Sequence, residues 1–331
     1  MKPPRVWLLI GTRRGDNNQV FALGEGLEVP FETRTVFYKW TARLRMKLFP
    51  ESVGHLTAKS RRWLRPPWPD LVIGVGRRTV AVARWIQRQS GGRTNLIRVG
   101  HPRADNELFD LVVTTRQYPV PPGDNVVTLP LAMNRFRTPP PPTAEEQAWL
   151  AARPRPRLLL SIGGSSSMWR LDLAALRLAV KKLVDRSQKK HGSLIVVGSP
   201  RTPKEAWTMV REMTASAPNV TLVENAEVRY PVLLNDADEQ FVTADSVSMI
   251  SEAIATGQPV GLIPVEPDAR GRRRLGRDPE KTRVRDPRRF WNDVHAQKLV
   301  GTVDKPVRGK VQDPVEIAVT AIRKTLPKLF G

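Results

Sequence analysis

The stretch EQFVTADSVSMISEAIATGQPVGLIPVE (239–266) holds a complete β–α–β unit. EQFVTAD (239–245) is a short run rich in apolar and β-branched residues, as a buried strand requires. Ser246 then stands in an N-cap position, and SVSMISEAIATG (246–257) reads as an amphipathic helix stopped by Gly257. PVGLIPVE (259–266) is the next strand. A strand, a helix and a strand in immediate succession pair most simply in parallel, through a crossover helix.

The same alternation extends outward in both directions. Towards the N-terminus, strands are expected at 6–11, 33–38, 70–76, 95–100, 109–115 and 125–131, with helices at 18–28, 41–49 and 78–90. It restarts with strands at 157–164, 193–200 and 219–224 and helices at 171–190 and 203–216. Continuous apolar strands separated by helices imply parallel sheets covered on both faces. The fold class is therefore α/β: two Rossmann-like, doubly wound parallel-sheet domains facing a cleft. TPPPPTAEEQAW (138–149) interrupts the pattern with four prolines and reads as a linker. Thr143 and Glu146 in it have the spacing of a capping box. The expected domains are 1–137 and 150–312, the second carrying a basic insert at 268–291. A helix in 313–331 is placed to cross back to the first domain. That helix is basic and amphipathic, which leaves core packing and membrane-surface contact as alternatives.

The chain of 331 residues has 54 Lys and Arg against 32 Asp and Glu, a formal charge of +22. Anionic partners are favoured, or the charge is a solvated basic surface. The positive charge recurs in 33–47 and 61–65 and is densest in DARGRRRLGRDPEKTRVRDPRRFW (268–291). No aromatic ladder, helix-turn-helix or zinc-finger spacing accompanies it, so nucleic acid is not the expected partner. Cysteine is absent, which excludes disulfides and cysteine chemistry. The first apolar run is too short for a signal peptide, and none approaches the roughly 18 residues of a spanning helix. A cytoplasmic protein is expected, with peripheral contact on the inner face of a membrane.

Candidate site residues lie in the turns that follow strands. IGTRRGDNNQ (10–19) offers Gly15, Asn17 and Asn18 for contact with an acceptor, and Asp16 as a general base for its hydroxyl. Asp16 or Asn17 is equally an ordinary helix cap. SIGGSSSMWR (161–170) presents Gly163, Gly164, Ser165 and Ser166, whose N–H and hydroxyl groups suit a diphosphate. It lacks the lysine of a P-loop and the full dinucleotide fingerprint. Arg201 and Thr202 end the next strand, where a guanidinium fork suits phosphate oxygens. Ser246 and Ser248 stand at a helix N-terminus, and Glu252 lies one turn after Ser248 on the same face. A carboxylate there can accept from vicinal sugar hydroxyls. Arg77, Arg78 and His101 follow strands of the first half and are candidates for an anionic acceptor. No metal-binding pattern is present, and no cofactor is expected.

Five blocks carry a family resemblance: GDNNQ (15–19), PWPDLVIGVGRRTVAVARWI (67–86), FDLVVTTRQY (109–118), LLLSIGGSSSMWRLD (158–172) and FVTADSVSMISEAIATGQPV (241–260). Together they resemble the mitochondrial-fission family named for elongated mitochondria, which also has bacterial members. That family is similar to glycosyltransferases of the GT-B architecture, such as lipid A disaccharide synthase and the N-acetylglucosaminyltransferase that makes lipid II. The resemblance implies a donor nucleotide-sugar in the second domain, over the Ser246–Glu252 helix, and an acceptor in the first. An anionic lipid or cell-envelope saccharide is the implied acceptor. The first loop has no histidine where several such transferases place a base, so Asp16 would take that part. The alternative is a non-catalytic interaction protein with a degenerate nucleotide pocket.

Overall fold

The computed structural model describes residues 2–12, 14–39, 53–76, 78–102, 104–135, 140–166, 168–224 and 227–330. The helix expected at 41–49 lies outside them. The chain divides into two compact units, Met1–Arg135 with Gln312–Gly331, and Phe136–Val311.

The first unit opens with β1 (Val6–Ile10), α1 (Arg14–Gly26) and β2 (Phe31–Thr35). It continues through α2 (Ala58–Arg61), β3 (Leu71–Val75), α3 (Thr79–Gln89), β4 (Asn95–Val99), β5 (Leu111–Thr115) and β6 (Val126–Leu129). All six strands are parallel, in the order β2-β1-β3-β4-β5-β6. β3 and β5 are buried along their whole length, as expected for strands covered on both faces, whereas β2 is an edge with exposed residues.

The second unit begins with α4 (Ala144–Ala151), inside the stretch read as a linker. Thr143 accepts from the Glu146 N–H at 3.2 Å, and Glu146 accepts from the Thr143 N–H at 2.9 Å, completing the capping box. Arg229 donates to the same carboxylate, and these donors hold Glu146 well below the usual carboxylate range, at about 2. Next come β7 (Arg157–Ile162), β8 (Trp169–Leu171), α5 (Leu173–Lys189), β9 (Ser193–Gly198), α6 (Lys204–Thr214) and β10 (Val220–Val223). They are followed by α7 (Tyr230–Asp236), β11 (Glu239–Thr243), α8 (Val247–Ala255) and β12 (Val260–Ile263). The six-stranded parallel sheet has the order β10-β9-β7-β11-β12-β14, closed by the short β14 (Gly301–Thr302).

The strand read at 259–266 divides at Pro264, which has no N–H for a ladder. Its second part, β13 (Val265–Pro267), leaves the sheet and pairs antiparallel with β8. α9 (Ala269–Arg274) and α10 (Pro287–Ala296) follow within and after the basic insert. The sequence reading had no counterpart for α2, β8, α7, α9 or β14. Each is too short to build a periodicity of its own.

The last segment, α11 (Pro314–Thr325), belongs to the first unit, with α12 (Pro327–Phe330) behind it. Asp313 caps α11 by accepting from the Val315 N–H. Its buried stripe of Val315, Ala318, Val319 and Ile322 joins the core built by Leu23 and Leu27 of α1 and Val113 and Leu129 of the sheet. The apolar face considered for membrane contact is thus occupied by the protein's own core. No described helix is long and apolar enough to cross a membrane.

Candidate functional site

In the second sheet the strand order reverses beside β7: β9 and β10 lie on one side, β11, β12 and β14 on the other. Ligands of open parallel sheets bind at the carboxyl ends of the strands where the order reverses. The turns after β7, β9 and β11 are tied together at that end. They contain Gly163–Ser166, Ser199–Thr202 and Ala244–Ser246.

Asp245 is the tie. It is 1% exposed, and its carboxylate accepts from the Gly164 N–H at 2.9 Å and the Thr243 hydroxyl at 2.7 Å. The Thr243 hydroxyl oxygen in turn accepts from the Gly163 N–H at 2.8 Å. The Arg201 guanidinium, half exposed, stands 3.8 Å from the same carboxylate. Burial pushes the Asp245 carboxyl above its ordinary range, against the donors around it. The two glycines are needed because the turns approach so closely. A Cβ on Gly163 would lie 2.2 Å from Asp245 Oδ1, and one on Gly164 would lie 2.0 Å from the Arg201 carbonyl oxygen.

These bonds revise the parts expected of several residues. The Gly163 and Gly164 N–H groups donate within the protein, so they are not phosphate donors in this conformation. Ser166 exchanges backbone hydrogen bonds with Trp169 in a tight turn. Ser165 is exposed, and its N–H has no partner among the described residues. The Thr202 hydroxyl reaches the Ile162 and Gly163 carbonyls and accepts from the Ser199 N–H, bracing the loop instead of facing a ligand. Arg201 donates to the Ser165 carbonyl at 3.4 Å while its guanidinium stays half exposed. Ser246 is the N-cap of α8, accepting from the Met249 N–H.

The outer face of α8 differs. Ser248 and Glu252 are half-buried and have no hydrogen-bond partner among the described residues. Desolvation raises the Glu252 carboxyl from about 4.5 to about 7. Beside it lies a group that the sequence reading missed. The Tyr230 Oη at the start of α7 and the Ser161 Oγ of β7 are both buried without a hydrogen bond of good geometry. Burial, and then the Glu252 charge, raise the Tyr230 phenol. An open serine, a desolvated carboxyl and the buried Tyr230–Ser161 hydroxyl pair therefore gather beside the strand reversal.

In the first unit the strand order reverses between β1 and β3. Asn17 accepts from the Gly11 N–H at 3.0 Å and donates to the Gly11 carbonyl at 2.9 Å, clamping the turn after β1. Its amide is thus committed to the turn and not presented to an acceptor. Asp16, in the first turn of α1, and Asn18 are partly exposed, with no side-chain partner among the described residues. Gly15 is exposed in the same turn. Arg78 begins α3 with its guanidinium 5.1 Å from the Tyr38 ring centroid. The His101 ring meets Tyr118 edge-on at 5.9 Å, and its carbonyl accepts from the buried Arg98. Arg77 lies outside the described residues.

Asp245 and Tyr230 are the residues that sequence reasoning left out. The signal for Asp245 was a carboxylate at the end of an apolar strand directly before an N-cap. Tyr230 had no signal, because it lies far from Glu252 in sequence. Gly164→Ala is expected to cost about 1–3 kcal/mol by overpacking the turn against Arg201. Urea unfolding followed by tryptophan fluorescence would measure it, and a change below ~0.5 kcal/mol would show that the turn relaxes freely.

With this geometry in hand, three comparisons are informative. Over 226 residues the chain is 30% identical to the mitochondrial fission protein ELM1 of Arabidopsis thaliana, covering 59% of this chain and 51% of the relative. The chain thus spans about half the length of that curated relative. A putative UDP-N-acetylglucosamine 2-epimerase from Listeria monocytogenes superposes with a TM-score of 0.57 at 12% identity, covering 99% of this chain and 98% of the other. The S. aureus MnaA–UDP co-structure gives 0.55 at 12% identity, covering 98% and 97%. The fold is that of the GT-B UDP-sugar enzymes. The model of the family described as mitochondrial fission ELM1 matches residues 14–286, most of the chain, and the protein belongs to that family.

Proposed function

We propose that the second unit binds a nucleotide-diphosphate-sugar and that the protein transfers the sugar to an anionic lipid or cell-envelope saccharide. The observation that carries this is the outer face of α8, where Ser248 and the desolvated Glu252 carboxyl stand unpartnered beside the strand reversal. A buried carboxyl without a partner is costly unless a ligand supplies donors. Vicinal hydroxyls of a ribose would do so. Arg201 and the Ser165 N–H are the donors left for the diphosphate, and Arg201 would steady the departing nucleotide diphosphate. The similarity in fold to a UDP co-structure and to a UDP-GlcNAc-bound epimerase supports the class of ligand. Asp16 is the acceptor-side base in this reading.

One observation favours a second reading, a non-catalytic interaction protein with a degenerate nucleotide pocket. The Gly163 and Gly164 N–H groups and the Thr202 hydroxyl are engaged inside the protein, leaving a sparse phosphate cradle.

Thermal unfolding against a panel of nucleotides and nucleotide-sugars tests the donor site. A ligand at 100 times its Kd is expected to stabilise by about 2.7 kcal/mol. Glu252→Ala is expected to weaken that ligand by ~1–3 kcal/mol. No shift with any member would promote the second reading. With a donor identified, Asp16→Asn is expected to abolish transfer and leave donor binding intact, and retained turnover would remove Asp16 from the mechanism.

Glu252 also sets a pH dependence. Because its folded pKa is raised, the folded chain holds a proton that the unfolded chain releases between about 4.5 and 7. Stability therefore falls as pH rises through that window and levels off above it. Glu252→Gln removes the effect, so the variant should match wild type near pH 4–5 and exceed it by ~1–2 kcal/mol at pH 8, allowing for the partial exposure of the group. Denaturant curves at both pH values decide it, and a difference that does not vary with pH would place Glu252 in an ordinary solvated environment.

A further inference from the structure

The basic insert is not used by the donor site, and its charges are sorted by the fold. Between 268 and 291 there are ten Lys and Arg and four Asp and Glu. All four carboxylates are engaged within the insert. Asp268 caps α9 by accepting from the Gly271 N–H at 2.6 Å. Asp286 is buried, caps α10 and pairs with Arg288 at 2.7 Å. Asp278 accepts from the Glu280 N–H and lies 3.8 Å from Lys281, while Glu280 lies 3.7 Å from Arg289. Arg289 is itself buried and donates to the Glu280 and Thr282 carbonyls.

Arg270, Arg273, Arg274, Arg277 and Arg283 are exposed, and no side-chain partner is found for them among the described residues. Their base is a folded platform. The Asp268 N–H donates to the Met168 carbonyl, and Gly271 packs so closely that a Cβ would lie 2.2 Å from that oxygen. Trp291 meets Trp169 edge-on at 4.8 Å, and Phe290 is fully buried. Holding five unpaired guanidinium groups on one anchored segment is unfavourable by like-charge repulsion unless an anionic surface meets them.

We propose that this patch docks the protein onto the phosphate-bearing headgroups of an anionic lipid bilayer. The composition of the patch selects that surface. It exposes no aromatic on which bases could stack, because Phe290 and Trp291 are packed inward or against Trp169. What it offers is charge and guanidinium donors. Clusters of this size bind anionic headgroups electrostatically. It also has no exposed large apolar side chain to insert, since those of the described chain are Phe37 and Leu178. Binding should therefore reverse with salt. The proposal goes beyond the function proposed above and does not depend on donor binding.

The test is co-sedimentation with phosphatidylcholine vesicles, with and without phosphatidylserine, at low and high salt. Wild type is expected to bind the anionic vesicles alone and to be released by salt. The variant carrying Arg270→Gln, Arg273→Gln, Arg274→Gln and Arg277→Gln is expected to lose affinity roughly a hundredfold or more. Its unfolding curve and its nucleotide response should match wild type, which separates loss of the patch from loss of the fold or the donor site. Undiminished binding by the variant, or equal binding to neutral vesicles, would overturn the proposal. So would displacement from the vesicles by duplex DNA at equal phosphate concentration, which would make nucleic acid the partner.

Discussion

The second unit is organised around one buried carboxylate. Asp245 holds the turn after β7 through Gly164, the end of β11 through Thr243, and the turn after β9 through Arg201. A charged group so removed from water is tolerated because donors converge on it. The convergence then dictates the neighbouring residues. No side chain fits between the Gly163–Gly164 turn and its partners, so glycine stands there for want of room and not to bare its N–H groups to a ligand. Arg201 is kept at the rim because one side of its guanidinium faces Asp245. The face of α8 that begins one residue later is consequently fixed relative to the sheet, and Glu252 is held where water reaches it poorly.

The architecture was legible in the sequence because its strands are long, apolar and separated by helices of regular period. β7 and β11 were read with ends within two residues of their places. The strand order follows from such units with little freedom. Legibility failed where a short element leans on distant ones. β8 and β13 form an antiparallel pair between segments almost a hundred residues apart, and neither carries a pattern of its own.

The site was legible by position and much less so by role. The turns named from sequence do converge where the second sheet reverses. What sequence could not show is the direction in which each polar group points. Asn17 and Thr202 are of the types that bind ligands, yet each completes hydrogen bonds of a nearby backbone turn. Local polar side chains compete for backbone partners, and nothing in the spacing says which bond wins. Ser248 and Glu252 do lie on one face of α8, because an i, i+4 pair on a helix shares a face by geometry alone.

The return of the C-terminal helix bears on the order in which the chain acquires structure. Val315, Ala318 and Ile322 fill the core between α1 and the first sheet, though they are made after the whole of the second unit. The whole of the second unit lies between β6 and these residues. On a ribosome, the second sheet can therefore reach its final packing while the first still shows water an apolar groove along α1 and Leu129. Domains otherwise tend to mature in the order of synthesis. Here the segment translated earlier is the one that must wait, and it is exposed to aggregation or chaperone capture until α11 has left the exit tunnel.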